Sequence, residues 1–326
     1  MSTPALEIFA AGDGIVGIDT ATAGLPQFNS VYLLTGDEPT LVEAASAADA
    51  DALAAALERL GLAGGDLAHV VVTHIHLDHA GGVGSLLRRF PNATVWVHER
   101  GAAHLADPSR LVASTARTYG IERMRSLYGD TLPVDRARIR SVIHGDRIGL
   151  GSRHLEVLHT PGHASHHIAL HEPGTDVVFT GEAIGSHLPW ADAYRPALPP
   201  PEVDVERALA SIERIRALEP GALLTSHFGP VTEPQEGCAR ASERIRSWSE
   251  AVRRRLLADP DAALDELTRT LTDLASVEYR ADAGTAIDLE RYDAIGSIGM
   301  NAAGLARYWR KRWEREAEDR PGTRST

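Results

Sequence analysis

The run Thr73-His74-Ile75-His76-Leu77-Asp78-His79-Ala80-Gly81-Gly82 sets three imidazoles and one carboxylate within six residues. It directly follows an apolar run, His69 to Val72, that reads as a buried strand. Alternate side chains of a strand share one face, so His74 and His76 are expected to project together. The turn that follows brings Asp78 and His79 back to the same region. Imidazole and carboxylate donors converging at a strand end suit zinc, iron or manganese better than calcium or magnesium. A lone His-x-His often reflects two unrelated residues. His-x-His-x-Asp-His followed by Ala-Gly-Gly is far more specific.

Three more donors recur further along the chain. Thr160-Pro161-Gly162-His163 follows an apolar run ending at Leu158, and its Pro-Gly pair makes a tight turn that aims His163 into a cleft. Val177-Val178-Phe179-Thr180-Gly181-Glu182 ends a buried strand with a carboxylate, and Ser226-His227-Phe228-Gly229 follows Leu223-Leu224-Thr225. Singly, each has an ordinary reading: a hydrogen-bonded structural histidine, or a solvated loop acid. In this order after His74 to His79 they form a specific set.

Through these motifs, over roughly residues 10 to 230, the chain resembles the metallo-β-lactamase superfamily of hydrolases in motif order and spacing. The resemblance implies an α/β fold, a four-layered αβ/βα sandwich with metals at one edge between the two sheets. It implies that His74, His76 and His163 hold one metal, that Asp78, His79 and His227 hold a second, and that Glu182 takes the bridging position. The implied cofactor is two divalent ions, zinc ahead of iron or manganese. Glu182 departs from the aspartate usual there. Its extra methylene shifts the carboxylate by about one bond length, while metal–oxygen distances tolerate only about 0.2 Å. The backbone must then sit back or the bridge become asymmetric, so the second position is expected to fill less readily.

A divalent ion lowers the pKa of bound water to about 7, giving a metal-bound hydroxide as nucleophile without any serine or cysteine. Asp78 is the expected catalytic residue, ligating the second metal and carrying a proton toward the leaving group. Two ions bring +4, and Asp78, Glu182 and one hydroxide remove three, leaving the centre near +1. The leading expectation is a hydrolase of an ester, thioester or lactone, resembling the glyoxalase II and lactonase branch, although no basic cluster for glutathione is evident. A β-lactamase fits less well, because the chain is longer, carries extra helices and lacks a secretory start. The alternative is a redox enzyme like the mononuclear iron persulfide dioxygenases. A flavin-linked form is disfavoured by the missing flavin domain, and a phosphodiesterase or nuclease by charge. A purely structural zinc site would favour cysteine-rich ligation.

The elements that must position these residues read as two α/β halves. Strands are expected at Ile15 to Ile18, Ser30 to Leu34, Leu41-Val42, His69 to Val72 and Thr94 to Val97, with helices at Ala48 to Leu60 and Val83 to Phe90. The segment His104 to Arg140 is charged and partly helical. Strands return at Ser141 to Ile143, Leu155 to Leu158, His167 to His171, Asp176 to Phe179 and Ala222 to Thr225, with a helix over Val205 to Leu218. Residues 1–233 form the expected catalytic domain. Residues 234–315 form a C-terminal helical subdomain with helices at Gln235 to Ala258, Ala262 to Ser276 and Leu289 to Arg315. Residues 316–326 form a disordered tail. In the last helix Leu289, Tyr292, Ile295, Trp309 and Trp313 make an apolar face. Gly296, Gly299 and Gly304 permit close helix approach, including a homodimer contact. The long loop Ile184 to Val203 is either a rigid connector or a binding loop in which Tyr194 or Arg195 contacts a substrate oxygen or carboxylate. His98, His104, His159, His166, His167 and His187 fall outside the ligand positions. They are read as structural, with one of His166 and His167 orienting a ligand.

The 326 residues are 43% hydrophobic with a formal charge of −12, and Lys311 is the only lysine. That acidity argues against nucleic acid or an anionic membrane as partner and leaves a small-molecule substrate. The single cysteine, Cys238, excludes an internal disulfide and, lacking a partner nearby, reads as a packed or surface thiol. No basic residue precedes Arg59 and no apolar run approaches membrane-spanning length, so a cytoplasmic enzyme is expected.

Overall fold

The computed structural model describes residues 5–294 and 297–318. A first sheet of seven strands runs β1 (Glu7–Gly12), β2 (Ile15–Asp19), β3 (Ser30–Leu34), β4 (Thr40–Val42), β5 (His69–Val71), β6 (Thr94–His98) and β7 (Ile139–Val142), in that spatial order. The first four strands pair antiparallel and the last four parallel, β4 belonging to both runs. Parallel neighbours need crossovers. These are supplied by α1 (Ala50–Arg59) and by α2 (Leu77–Ala80) with α3 (Val83–Arg89). After β6 the crossover is α4 (Glu99–Ala106), α5 (Ser109–Tyr119) and α6 (Ile121–Tyr128).

The second sheet contains β8 (Arg147–Leu150), β9 (Arg153–His159), β10 (Ile168–Glu172) and β11 (Val177–Gly181). A small hairpin, β12 (Ser186–Leu188) and β13 (Ala193–Arg195), follows β11. After α7 (Val205–Arg216) the sheet closes with β14 (Ala222–Thr225) and β15 (Gly229–Val231), giving the order β15-β14-β11-β10-β9-β8. The chain ends in α8 (Pro234–Ala258), α9 (Leu264–Ala283), α10 (Leu289–Asp293) and α11 (Ile298–Glu318).

Strand alternation builds the layers. Tyr32 and Leu34 of β3 face the other sheet, where they meet Leu155, Val157, Leu170, Val177 and Phe179. Val31 and Leu33 of the same strand face outward onto Leu53, Leu57, Val83 and Leu86 of the first helical layer. Buried on both faces, β3 reads as one unbroken apolar run. On the far side, Ala169, Val178 and Leu223 of the second sheet pack on Ala208, Ile212 and Ile215 of α7 and on Trp248, Leu271 and Leu305 of the C-terminal helices. The result is the four-layered αβ/βα sandwich with a C-terminal helical region.

Several expectations need correction. The strand before the metal motif stops at Val71, so His74 and His76 lie on a bent connector and not on strand β5. The segment read as loop after Glu182 contains the β12–β13 hairpin. The last helix is two, α10 and α11, with Ile295 and Gly296 outside the described residues. On its apolar face Tyr292 is buried, Trp309 and Trp313 pack partly buried, and Leu289 is exposed. Helix α11 continues to Glu318, into the expected tail, and residues 319–326 lie outside those described. Gly304 packs directly under the carbonyl of Leu198, where a Cβ would collide with it, so its close approach is to that loop. Cys238 is fully buried against the second sheet, and burial pushes its thiol up to about 12.

Trp248 anchors the outer layer. It is fully buried, and its indole Nε1 donates to Glu278 Oε2 of α9 at 2.9 Å. Trp248→Ala leaves a cavity and removes one hydrogen bond from Glu278, which keeps Ser247 and Arg244 as partners, and is expected to cost about 3–5 kcal/mol. Urea unfolding of the two proteins checks this as a shift in midpoint.

Candidate metal centre

The seven donors predicted from sequence come from four separate connections at one edge of the sandwich. His74 and His76 follow β5, Asp78 and His79 lie on the single turn α2, His163 follows β9, Glu182 follows β11 and His227 follows β14. The two sheets are tied together at this edge. Ser30 N donates to Ser226 O, the hydroxyls of Ser30 and Tyr32 both donate to Thr225 O, and Ile168 N donates to Thr73 O. Asn29 Nδ2 holds the carbonyl of Asp78 at 2.8 Å.

The structure brings all seven together as two groups that meet at Glu182. In the first, His74 Nε2 and His76 Nδ1 are 3.0 Å apart, and His163 Nε2 stands 2.8 Å from His76 Nδ1. Glu182 Oε2 reaches 2.8 Å from His163 Nε2 and 3.3 Å from His74 Nε2. In the second, Asp78 Oδ2 lies 3.4 Å from His79 Nε2 and 3.5 Å from His227 Nε2, and those two nitrogens are 3.2 Å apart. Glu182 also faces this group, Oε2 at 3.5 Å from His79 and Oε1 at 3.6 Å from His227. Its carboxylate therefore spans the groups but leans toward the first, the asymmetry expected of the longer side chain.

The donor set fits divalent ions. Four ligands at zinc–nitrogen distance stand about 3.3 Å apart in a tetrahedron, close to the separations here. The hydrogen bonds add a stronger test. Nδ1 of His163 donates to Ala197 O, Nδ1 of His227 donates to Phe28 O, and Nδ1 of His79 donates to Glu43. With those protons placed, the Nε2 atoms of neutral His79 and His227 present two lone pairs to each other. Either His79 carries an extra proton or a cation stands between them. Burial opposes charge on His79, but Asp78 and Glu43 outweigh it and raise its pKa, so without metal the cluster resolves the conflict by holding a proton. Burial, with the neighbouring His163, pushes His76 down to about 3, leaving it a neutral donor.

Glu43 belongs to the same cluster, and motif reasoning missed it. It is buried just after β4 and accepts hydrogen bonds from Thr73 N, Thr73 Oγ1, His79 Nδ1 and Ser226 Oγ. It thereby fixes the ring of His79 and binds the connectors of β5 and β14 to each other. Its φ of 69° lies in the left-handed region, which costs a non-glycine residue on the order of 1 kcal/mol or more. The available signal was an acid closing an apolar strand, the signal that picked out Glu182.

Of the remaining histidines, His167 Nε2 accepts from Glu182 N at 3.0 Å and so sets the backbone of a donor. Gly181, at φ 53°, must be glycine there, because a Cβ would come within 2.5 Å of His167 Nε2 and 2.7 Å of Thr73 Oγ1. His166 Nε2 accepts from Ile75 N between His74 and His76. His98 and His159 stack on each other, and His187 bonds Phe228 O.

Five of the donors, His76, Asp78, His163, Glu182 and His227, line a cleft of about 170 Å³, with His74 and His79 fully buried behind them. Its walls are Phe28, Leu77, one face of α5 with Leu111, Thr115 and Tyr119, Tyr128 of α6, the 195–201 segment, and Met300 of α11. Arg195 lines the cleft. Tyr194 does not: neighbours on β13 face opposite ways, and Tyr194 is buried toward α8 beneath the Arg240 guanidinium. Among the described residues, no helix is long and apolar enough to cross a membrane.

Replacing a carboxylate that orients a ligating histidine lowers metal affinity by about 10- to 100-fold. Glu43→Gln is expected to lose affinity on that scale for one ion per chain while the other is retained. Competition against a chromophoric chelator measures both.

A family model described as the metallo-beta-lactamase superfamily matches residues 24–227, more than half of the chain. The metallo-beta-lactamase fold-containing protein of Sulfurisphaera tokodaii is 25% identical over 223 residues, 67% of this chain and 80% of that one. A hydroxyacylglutathione hydrolase of Legionella pneumophila is 30% identical over 121 residues, 36% of this chain and 34% of the enzyme. An acyl-coenzyme A thioesterase of Gallus gallus is 32% identical over 126 residues, 37% of this chain and 43% of the enzyme. The chain thus spans less than half the length of either enzyme. Among solved structures, a metallo-beta-lactamase family protein of Thermus thermophilus superposes with a TM-score of 0.61 at 22% identity, over 87% of this chain and 89% of that one, a likeness of fold. Motif order, fold and family model agree, and the chain belongs to the metallo-β-lactamase superfamily.

Proposed function

We propose that this protein is a metal-dependent hydrolase of small ester-type substrates (esters, thioesters or lactones) working with two divalent ions, zinc first among them. The observation that carries this reading is the meeting of two donor groups, His74, His76, His163 and Glu182 in one and Asp78, His79 and His227 in the other, with Glu182 facing both beside an otherwise part-apolar cleft. Divalent ions held there would supply Lewis acidity and water that ionises near neutral pH. The similarity to a hydroxyacylglutathione hydrolase and an acyl-coenzyme A thioesterase supports acyl transfer to water over phosphodiester cleavage.

The chain's own residues have definite tasks. His74, His76 and His163 form the first donor set with Glu182, and Asp78, His79 and His227 the second, toward which Glu182 also faces. Asp78 is the proton carrier. Burial opposes its ionisation, but His79 and His227 hold its pKa well below the usual carboxylate range, so it enters the reaction as an acceptor. Its Oδ2 faces the histidines, which leaves Oδ1 as the atom able to take a proton and return it to a departing alcohol or thiol. Tyr128 lines the same cleft next to Tyr119, and burial, with the charge of Asp78, raises its pKa so that the phenol stays protonated. Leu77, Leu111 and Met300 exclude water from the acyl body.

Metal analysis of the purified, zinc-reconstituted chain is expected to give two ions per molecule, the second binding more weakly. His76→Ala and Asp78→Ala are each expected to abolish turnover across a panel of thioesters, lactones and aryl esters and to lower metal content. Wild-type turnover in either variant would remove that residue from the reaction. Oxygen uptake with a glutathione persulfide, and no ester turnover, would instead identify the mononuclear iron alternative.

A further inference from the structure

Arg195 is chemically out of place. It is 3% exposed, yet among the described residues no carboxylate lies within ion-pair distance of its guanidinium. Burying a charge without a charged partner is among the costlier arrangements in a protein. The acids it feels most are Asp293 and Glu182, and both are committed elsewhere. Asp293 accepts from Ile298 N, and Glu182 is surrounded by His74, His79, His163 and His227.

Its neighbours position it without neutralising it. Nη1 donates to Tyr292 O and Nη2 to Ser186 Oγ, while Nε has no partner. The guanidinium stands 6.0 Å from the Phe28 ring and 5.5 Å from the Tyr292 ring, two aromatic faces that favour a cation and restrict its motion. Phe28 also carries the carbonyl that fixes His227, and its ring is 5.9 Å from that imidazole. Arg195 therefore lines the cleft on the side of the second donor group. Once ions are bound there, the centre is itself positive, and a second cation on its wall is unfavourable until an anion arrives.

We propose that Arg195 anchors a carboxylate of the substrate, so that this enzyme acts on esters, thioesters or lactones bearing a carboxylate near the scissile bond. This rests on the hydrolase reading and names the substrate class of the same site. A carboxylate is the anion that fits: it is planar and singly charged, Nη1 and Nη2 each carry a second N–H beyond those given to Tyr292 O and Ser186 Oγ, Nε is unpartnered, and the cleft is small. Arg195 serves as a binding residue, and no bond is made or broken at it. Its backbone tie to Tyr292 means that α10 helps place it.

The test separates anion recognition from scaffold support. The probes are hydroxamates, which bind metal directly: monohydroxamates of malonate, succinate and glutarate, each against an alkyl hydroxamate of matched length. Binding to the zinc-loaded full chain is measured by calorimetry. The best carboxylate-bearing probe is expected to bind about 10- to 100-fold tighter than its alkyl match, the value of a charge-assisted hydrogen bond. Arg195→Gln is expected to remove that preference and leave alkyl affinity unchanged, and Arg195→Lys to retain part of it. Ser186→Asp leaves Arg195 in place but sets an internal carboxylate against Nη2, and is expected to abolish the preference as well, which covers the case in which the Arg195 variants do not fold. No preference in the wild type, or equal loss for charged and uncharged probes in the variants, overturns the proposal. Failure of the hydrolase reading appears separately, as absence of ester turnover while the probe preference persists.

Discussion

Lone pairs crowded into a dry volume repel one another unless a cation stands among them, and this constraint organises the molecule. Five imidazoles and two carboxylates share one edge of the sandwich, most of them with almost no access to water. No local segment would choose that arrangement. It persists because the rings are locked from behind: backbone carbonyls of Phe28 and Ala197 and the carboxylate of Glu43 take the outward N–H groups, which leaves the inward nitrogens as acceptors. Orientation is thus settled by the scaffold before any ion arrives, which spares binding the cost of ordering the ligands.

The sheets exist, in this sense, to bring the ends of four strands, β5, β9, β11 and β14, to one place. Tyr32 and Ser30 bridge them to Thr225, and Glu43 bridges the connectors of β5 and β14, so the two halves cannot slide without disturbing His79 and His227. The strain stored at Glu43 and the glycine required at position 181 lie within this same stitch. Local cost is concentrated where the chemistry is and offset by the apolar layers on either side, where fully buried Leu33, Phe179 and Trp248 pack.

Much of this was legible in the sequence because donor types are unambiguous and their spacing is local. His74 to His79 announce themselves, and apolar runs such as Ser30 to Leu34 and Val177 to Gly181 can only be interior strands. What was illegible depends on partners distant in the chain. Glu43 is an ordinary acid until Thr73, His79 and Ser226 fold onto it. Strand β1 escaped because it is an edge, mostly exposed and weakly patterned. The choice between Tyr194 and Arg195 required the register of β13, since period-two alternation says that they diverge but not which one meets the cleft. Helix α5 buries no residue fully, yet one of its faces forms a wall of the cleft.

The C-terminal helices are more than an outer layer. Met300 of α11 forms part of the cleft wall, Asn301 Oδ1 accepts from Leu198 N in the segment facing it, and Tyr292 of α10 holds Arg195 through its carbonyl. The donor edge comes wholly from the sandwich, whereas the cleft above it is walled in part by the appended helices. Lineages that keep the donor edge while remodelling or exchanging the helical cap would retain the same seven side chains beneath a differently shaped opening.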